Sequence, residues 1–293
     1  MRIDDGARSL LADLHCHSNA SDGGLSPAAV VTRAAQQGVG VLALTDHDTL
    51  AGLPQAQAAT AAEGIHLISG VELSCLWHGQ TIHVVGLDFD PQDVGFQRVL
   101  DGQSQVRHER AGTIDERLQK QGLPSVLGEA RALAAGVPGR PHFAQALVDT
   151  GVVAGTRQAF QRYLGTGKVG DVATCWPELA TVVKWIREAG GIAILAHPRR
   201  YRLTNNKLRK LVDAFHEAGG QALEVLSAGH SRQDSGYLTR LCMDNGLWAS
   251  GGSDFHWPGR PWSELGRLPV LPDGPEPVWR HFRETTRGRL QGE

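Results

Sequence analysis

Paired cysteines are missing from this chain. It has four, Cys16, Cys75, Cys175 and Cys242, with no CxxC spacing among them. That excludes a structural zinc knot and suits free thiols in a reducing, cytoplasmic setting. No stretch approaches the roughly 18 uninterrupted apolar residues of a membrane helix. Residues 1–5 carry no apolar h-region, which argues against a signal peptide. Excess basic charge is missing too. The 29 Lys and Arg against 31 Asp and Glu leave a formal charge of -2, so no global field draws the chain to nucleic acid, although a local basic patch is compatible with it. Neither a GxSxG nucleophile elbow nor a recognisable Cys-His pair offers a protein nucleophile.

What is present is an alternation of apolar runs and amphipathic segments over 293 residues, the size of one large α/β barrel. Seven runs read as strands: 9–15, 39–45, 65–73, 81–89, 192–196, 222–226 and 247–250. Helices lie between most of them. Ser26-Pro27 marks the start of the first, with Ser26 as N-cap and Pro27 at the first helical position. Helices are also expected over 55–62, from 176–178 to 189, and over 208–218, 237–245 and 278–284. Between residues 92 and 171 the rhythm stops, and 107–121, 129–135 and 142–148 read as helices. The expected architecture is a distorted seven-stranded (β/α) barrel formed by residues 1–91 and 172–293, with a helical insertion at 92–171.

Nine candidate metal ligands sit in short islands, most of them at the ends of the apolar runs: His15 and His17, Asp22, His47, Glu72, His83, His197, Asp254 and His256. A barrel gathers such scattered residues at the C-terminal ends of its strands. His15 and His17 are two apart, so on a strand both imidazoles share a face, and Asp254 with His256 repeats the spacing. Asp13 shares that face and is a candidate to orient a histidine. A single HxH is as readily two surface histidines, and a lone strand histidine such as His83 is more often a core residue. Two pairs at strand ends are much harder to explain without metal. Cys16, between the first pair, points the other way and reads as packing.

The islands HxH, TDHD, GxE, AHP and GSDFH resemble those of the polymerase-and-histidinol-phosphatase (PHP) family. The segments at 139–144, 163–168, 197–201 and 247–266 narrow the resemblance to a subfamily of 3′,5′-nucleoside bisphosphate phosphatases and 5′→3′ exoribonucleases, over nearly the full length. That resemblance implies a seven-stranded barrel and two to three divalent ions, manganese, with iron and zinc as alternatives. It implies that His15, His17, Glu72 and Asp254 hold the first ion, Glu72, His83 and His197 the second, and Asp22, His47 and His256 the third. Many relatives carry histidine where this chain has Asp22, a harder ligand. The substrates implied are adenosine 3′,5′-bisphosphate and short 5′-phosphorylated RNA, with no obligate protein partner.

Phosphate esters also call for cationic clamps. Arg107, Arg110, Arg140, Lys168 and Arg200 are the candidates, with Asp22 and His47 also facing substrate; for Arg107 and Arg110 a solvated surface role is equally compatible. The expected chemistry is in-line attack on phosphorus by a metal-bound hydroxide, with His230 as candidate general acid or phosphate ligand. Trp257 and Trp262 are candidates to stack on a base, though packing is the commoner role. The rival readings are a histidinol-phosphate phosphatase and a non-catalytic barrel that binds metal or polynucleotide. The segment at 92–171 with Arg140 weighs against the first, and the full ligand set weighs against the second.

Overall fold

The computed structural model describes residues 1–4, 9–172 and 176–291. Eight strands form one sheet in chain order: β1 (Arg2–Asp4), β2 (Ser9–Cys16), β3 (Val39–Leu44), β4 (His66–Trp77), β5 (Gln80–Leu87), β6 (Ile192–Leu195), β7 (Ala222–Ser227) and β8 (Trp248–Gly252). Seven correspond to the apolar runs of the sequence. The eighth, β1, pairs antiparallel with β2; at three residues it is too short to show an apolar period. The pairs β2–β3, β3–β4, β6–β7 and β7–β8 are parallel, whereas β5 runs antiparallel to both β4 and β6.

Side-chain alternation curls the sheet. In β3, Val41 and Ala43 face one cluster while Leu42 and Leu44 face another. The first cluster collects Ala12 and Leu14, Ile68, Val85 and Leu87, Ile192 and Ile194, and Ala222, so six successive strands contribute to one interior. The segment after β8 then returns to β2. Asp254 N donates to His15 O at 2.8 Å, and His17 N donates to Phe255 O at 2.8 Å. Gly252 permits that seam, because a Cβ there would stand 2.1 Å from His15 Cβ.

Helices α1 (Pro27–Gln36) and α2 (Leu53–Glu63) cover β3 and β4, and Ser26 caps α1 by accepting from Ala29 N. Between β5 and β6 come α3 (Val94–Gln119), α4 (Leu127–Leu133), α5 (Arg140–Asp149), α6 (Thr156–Ala159) and a π-helical turn at Phe160–Leu164. They bury an apolar cluster of their own, drawn from residues 111–172 and centred on Ile114, Leu118, Phe143 and Leu147. Helices α7 (Leu179–Glu188), α8 (Asn205–Glu217) and α9 (Arg232–Asp244) pack on the outer face of β4–β8. The single helix expected over 278–284 is instead a 3-10 turn at Val278–His281 followed by α10 (Glu284–Gln291). Asp88 anchors that tail, accepting from Arg283 N at 2.5 Å and from Thr286 Oγ1 at 2.7 Å.

Cys16, Cys75 and Cys242 are buried free thiols, and Cys175 lies outside the described residues. No helix among the described residues is long and apolar enough to cross a membrane.

Candidate metal centre

The interior face of the sheet changes character along its strands. Ile68 on β4 and Val85 with Leu87 on β5 line the apolar interior; at even spacing along the same rows come Glu72 and His83. The hairpin register holds Glu72 opposite Val85 and Ser74 opposite His83. His83 Nδ1 consequently lies 3.0 Å from Glu72 Oε1, and His197 Nε2, just past β6, lies 2.8 Å from the same oxygen. Glu72 Oε2 faces the other way. It is 3.4 Å from His15 Nε2, 3.3 Å from His17 Nε2 and 3.0 Å from His47 Nδ1. Asp254 Oδ1 completes that group at 3.5 Å from His15 Nε2 and 3.2 Å from His17 Nε2. A further group surrounds Asp22, whose carboxylate is 3.3 Å from His256 Nε2, 3.8 Å from His47 Nε2 and 3.9 Å from His17 Nδ1.

All nine ligands expected from the sequence thus converge. Potential donor atoms of seven of them form three overlapping groups: His15–His17–Glu72, His47–Glu72–His83, and His17–Asp22–His47–His256. Glu72 belongs to two of these, and His17 and His47 each join two as well. The backbone is specialised here. His197 and Asp254 sit at φ +27° and +49°, a region L-residues rarely occupy without a compensating function.

The donor set fits divalent cations. His17 Nδ1, Asp22 Oδ1, His47 Nδ1, Glu72 Oε2 and Asp254 Oδ1 are buried with no hydrogen-bond partner among the described residues, a costly arrangement unless something else satisfies them. Burial disfavours the charged forms throughout, yet the groups polarise one another. The Asp254 and Glu72 carboxylates outweigh burial at His17 and push its pKa up to about 10. His15 is likewise held well above its ordinary value, against burial, by Glu224, Glu72 and Asp254. The imidazoles in turn overcome burial at Glu72 and Asp22, and Arg200 foremost with His256, His15 and His17 does so at Asp254, so all three are held well below the ordinary carboxylate range. Imidazole and carboxylate together, without thiolate, suit manganese, iron or zinc.

Two neighbours differ from expectation. Asp13 does not orient a histidine ring; its carboxylate accepts from Ser253 N at 2.8 Å and Gly266 N at 2.9 Å, tying β2 to the segment after β8. The orienting role falls to Glu224 on β7, which the sequence reading missed. Its Oε1 lies 2.7 Å from His15 Nδ1, and its Oε2 accepts from His197 N at 2.7 Å. A charged residue inside the apolar run Ala222–Ser227 was the available signal. Tyr201 was also missed as a brace: its hydroxyl donates to Ala196 O at 2.9 Å and accepts from His83 N at 2.9 Å.

The centre opens into a cavity of about 1260 Å³ whose walls carry Arg140, Lys168 and Arg200, and also Arg202 and Lys207. Arg140 bonds to Leu164 O and to Asp171 Oδ1 at 3.2 Å, and Arg200 reaches Asp254 Oδ2. The other expected cations lie elsewhere. Arg107 Nε donates to the buried Asp48 Oδ2 at 2.6 Å, Arg110 Nε donates to Val172 O at 2.7 Å, and both guanidiniums lie over the Trp176 ring. His230, in the loop after β7, is not among the cavity-lining residues, and burial lowers its pKa against the pull of Glu224. Trp257 and Trp262 are exposed, Trp257 resting on Gly24. Cys16 is fully buried and donates its thiol to Ala43 O, as packing predicts.

The chain is similar to known proteins. A 5′-3′ exoribonuclease of Haemophilus influenzae is 46% identical over 92% of this chain and 98% of its own length. The 3′,5′-nucleoside bisphosphate phosphatase of Chromobacterium violaceum is 40% identical over 92% of this chain and 95% of its own. The solved structure of an amidohydrolase from Chromobacterium violaceum, with bound sulfate, superimposes with a TM-score of 0.87 at 40% identity, covering 94% of this chain and 96% of that one. The sequence model described as the PHP domain matches residues 13–171, from the strand that carries the first histidine pair through Asp171 beside Arg140. With its ligand islands gathered at one end of a curled sheet, the chain belongs to the PHP family.

Proposed function

We propose that this protein is a metal-dependent phosphoesterase that removes the 3′-phosphate of nucleoside 3′,5′-bisphosphates and trims short 5′-phosphorylated RNA from its 5′ end. One observation carries the reading: six of the candidate ligands, His47, Glu72, His83, His197, Asp254 and His256, and a separate pair of cations, Arg140 and Lys168, line the same cavity. A substrate with two phosphates matches that division, one at the ions and one at the pair. The names of the relatives at 40% and 46% identity support both substrate types.

Without the short β1, the curled sheet corresponds on this reading to a distorted seven-stranded barrel. Residues 92–171 form its helical insertion, which brings Arg140 and Lys168 over the centre. His15, His17, Glu72 and Asp254 would hold one ion, Glu72, His83 and His197 a second, and Asp22, His47 and His256 a third, with manganese the first candidate and iron or zinc the alternatives. Held by these residues, divalent ions would supply a nucleophile by lowering the pKa of bound water towards neutrality. Glu224 fixes the His15 ring, leaving Nε2 directed at the centre. Arg200, beside Asp254, is positioned to meet the negative charge that grows on the phosphoryl oxygens. Arg140 and Lys168 hold the 5′-phosphate, so the distance from that pair to the centre selects the bond to be cut.

The test compares oligoribonucleotides that differ only at the 5′ end, alongside adenosine 3′,5′-bisphosphate and histidinol phosphate. A 5′-monophosphate should be preferred over a 5′-hydroxyl, and the bisphosphate over histidinol phosphate. Equal rates at both RNA ends with no bisphosphate turnover would leave an unselective phosphoesterase.

A further inference from the structure

The cavity is larger than a mononucleotide needs. Its volume of about 1260 Å³ exceeds the roughly 300–1,000 Å³ that small-molecule sites occupy. Its charge is also uneven. Apart from the ligands Glu72 and Asp254, its lining contains a single acid, Asp171, and that one faces Arg140. From the centre the chain runs from His197 past Arg200 to Arg202 and Lys207, which also line the cavity. Arg200 is committed to Asp254. The side chains of Arg202 and Lys207 are exposed and have neither an ion pair nor a hydrogen bond among the described residues. Arg202 holds the left-handed backbone conformation, φ +53°. Lys207 stands in the first turn of α8, where Thr204 caps the helix and no acidic residue offsets the exposed N–H groups.

We infer that Arg202 and Lys207 form a second cationic bank that binds the phosphodiester backbone of single-stranded RNA on the 3′ side of the scissile linkage, and that this bank separates oligonucleotide from mononucleotide substrates. The inference rests on the proposed phosphoesterase reading. In that reading the first phosphate is held at Arg140 and Lys168 and the scissile one at the centre. A bisphosphonucleotide has then no phosphate left for Arg202 and Lys207, whereas an RNA chain carries one more phosphate with every residue. Free lysine and arginine are suited to this contact, since each backbone phosphate neutralised releases counterions and makes binding salt-dependent. Arg202 and Lys207, on either side of the Thr204 cap of α8, can contact backbone phosphates without reading base identity.

The test uses the full chain with Arg202→Ala and Lys207→Ala combined, and the charge-reversed R202E/K207E as a second variant. Binding of a 3′-labelled, 5′-phosphorylated RNA hexamer is followed by fluorescence anisotropy in EDTA, which separates binding from cleavage, across a range of KCl. Turnover of adenosine 3′,5′-bisphosphate with metal is measured beside it. Both variants should bind the hexamer at least tenfold more weakly. The slope of log Kd against log salt should flatten by about 1.4 for two lost contacts to a single strand. Bisphosphate kcat/KM should stay within twofold. Hexamer affinity that does not change overturns the bank, and so does an equal fall in bisphosphate turnover, which would place both residues in the mononucleotide pocket. If the unaltered chain binds the hexamer through this bank yet never cuts it, the RNA half of the proposed function fails while the bank stands. If it cuts the hexamer but the variants bind normally, the reverse holds.

Discussion

At the scale of single residues, the most testable assignment is Glu224. One carboxylate fixes the His15 ring with one oxygen and the His197 backbone with the other. Glu224→Ala should lower metal affinity or activity by about 10–100-fold, the usual effect of losing a ligand-orienting partner. Elemental analysis after dialysis checks it, and an undiminished metal content would refute the role. His15→Ala should abolish turnover with the far-UV spectrum unchanged, since His15 serves the centre and not the apolar interior. Arg140→Ala should raise KM for the bisphosphate roughly tenfold, about 1.4 kcal/mol, with kcat little altered; a change below twofold would remove Arg140 as a clamp. The candidate ligands and their convergence were legible because histidines two apart on a strand leave a pattern. Glu224 was not, because a lone acid has no spacing partner to announce it. Asp13 misled for a related reason: it shares the ligand face, but the N–H groups of Ser253 and Gly266 capture its carboxylate first.

Elements show which local rules prevailed. The strands that pack on both faces were readable as continuous apolar runs, and Ser26-Pro27 fixed the start of α1. The direction of β5 was not readable, since an apolar run carries no sign of parallel or antiparallel pairing; the two-residue turn at His78-Gly79, with φ +48° and +75°, makes the hairpin. The chain end was misjudged because Asp88, far away in sequence, sets where the last helix starts. Asp88→Ala removes an acceptor shared by Arg283 N and Thr286 Oγ1 and should destabilise the protein by roughly 2–3 kcal/mol in urea unfolding. A shift under about 0.5 kcal/mol would show that the tail contributes nothing to the fold. The seam between β2 and the segment after β8 is stricter. Gly252→Ala would drive a methyl to 2.1 Å from His15 Cβ and 2.5 Å from His15 N, so soluble protein with a native melting temperature is the outcome that would count against this packing.

For the whole molecule, the alternation of strands and helices announced an α/β fold. The barrel expected from that rhythm agrees with the curl of the sheet, although the residues that meet inside it are seen only in three dimensions. The bank at Arg202 and Lys207 was invisible for the same reason, because solvated cations and a lined cavity look alike in sequence. Bound ions should stabilise the folded chain by mass action, about 2.7 kcal/mol at a free concentration one hundred times Kd. Chelation should lower the melting temperature by several degrees and abolish activity, and divalent metal should restore both; a melting curve indifferent to chelator would remove the ions from the fold's stability. Finally, Glu72 turns one oxygen to His83 and His197 and the other to His15, His17 and His47. Sites that share a side chain are thermodynamically linked. Filling one fixes the rotamer and draws on the charge that the next ion meets, and whatever factor the first occupancy imposes on the second affinity, the second imposes on the first. On the proposed ligand assignment, metal loading is therefore a coupled process in which no ion has an affinity of its own.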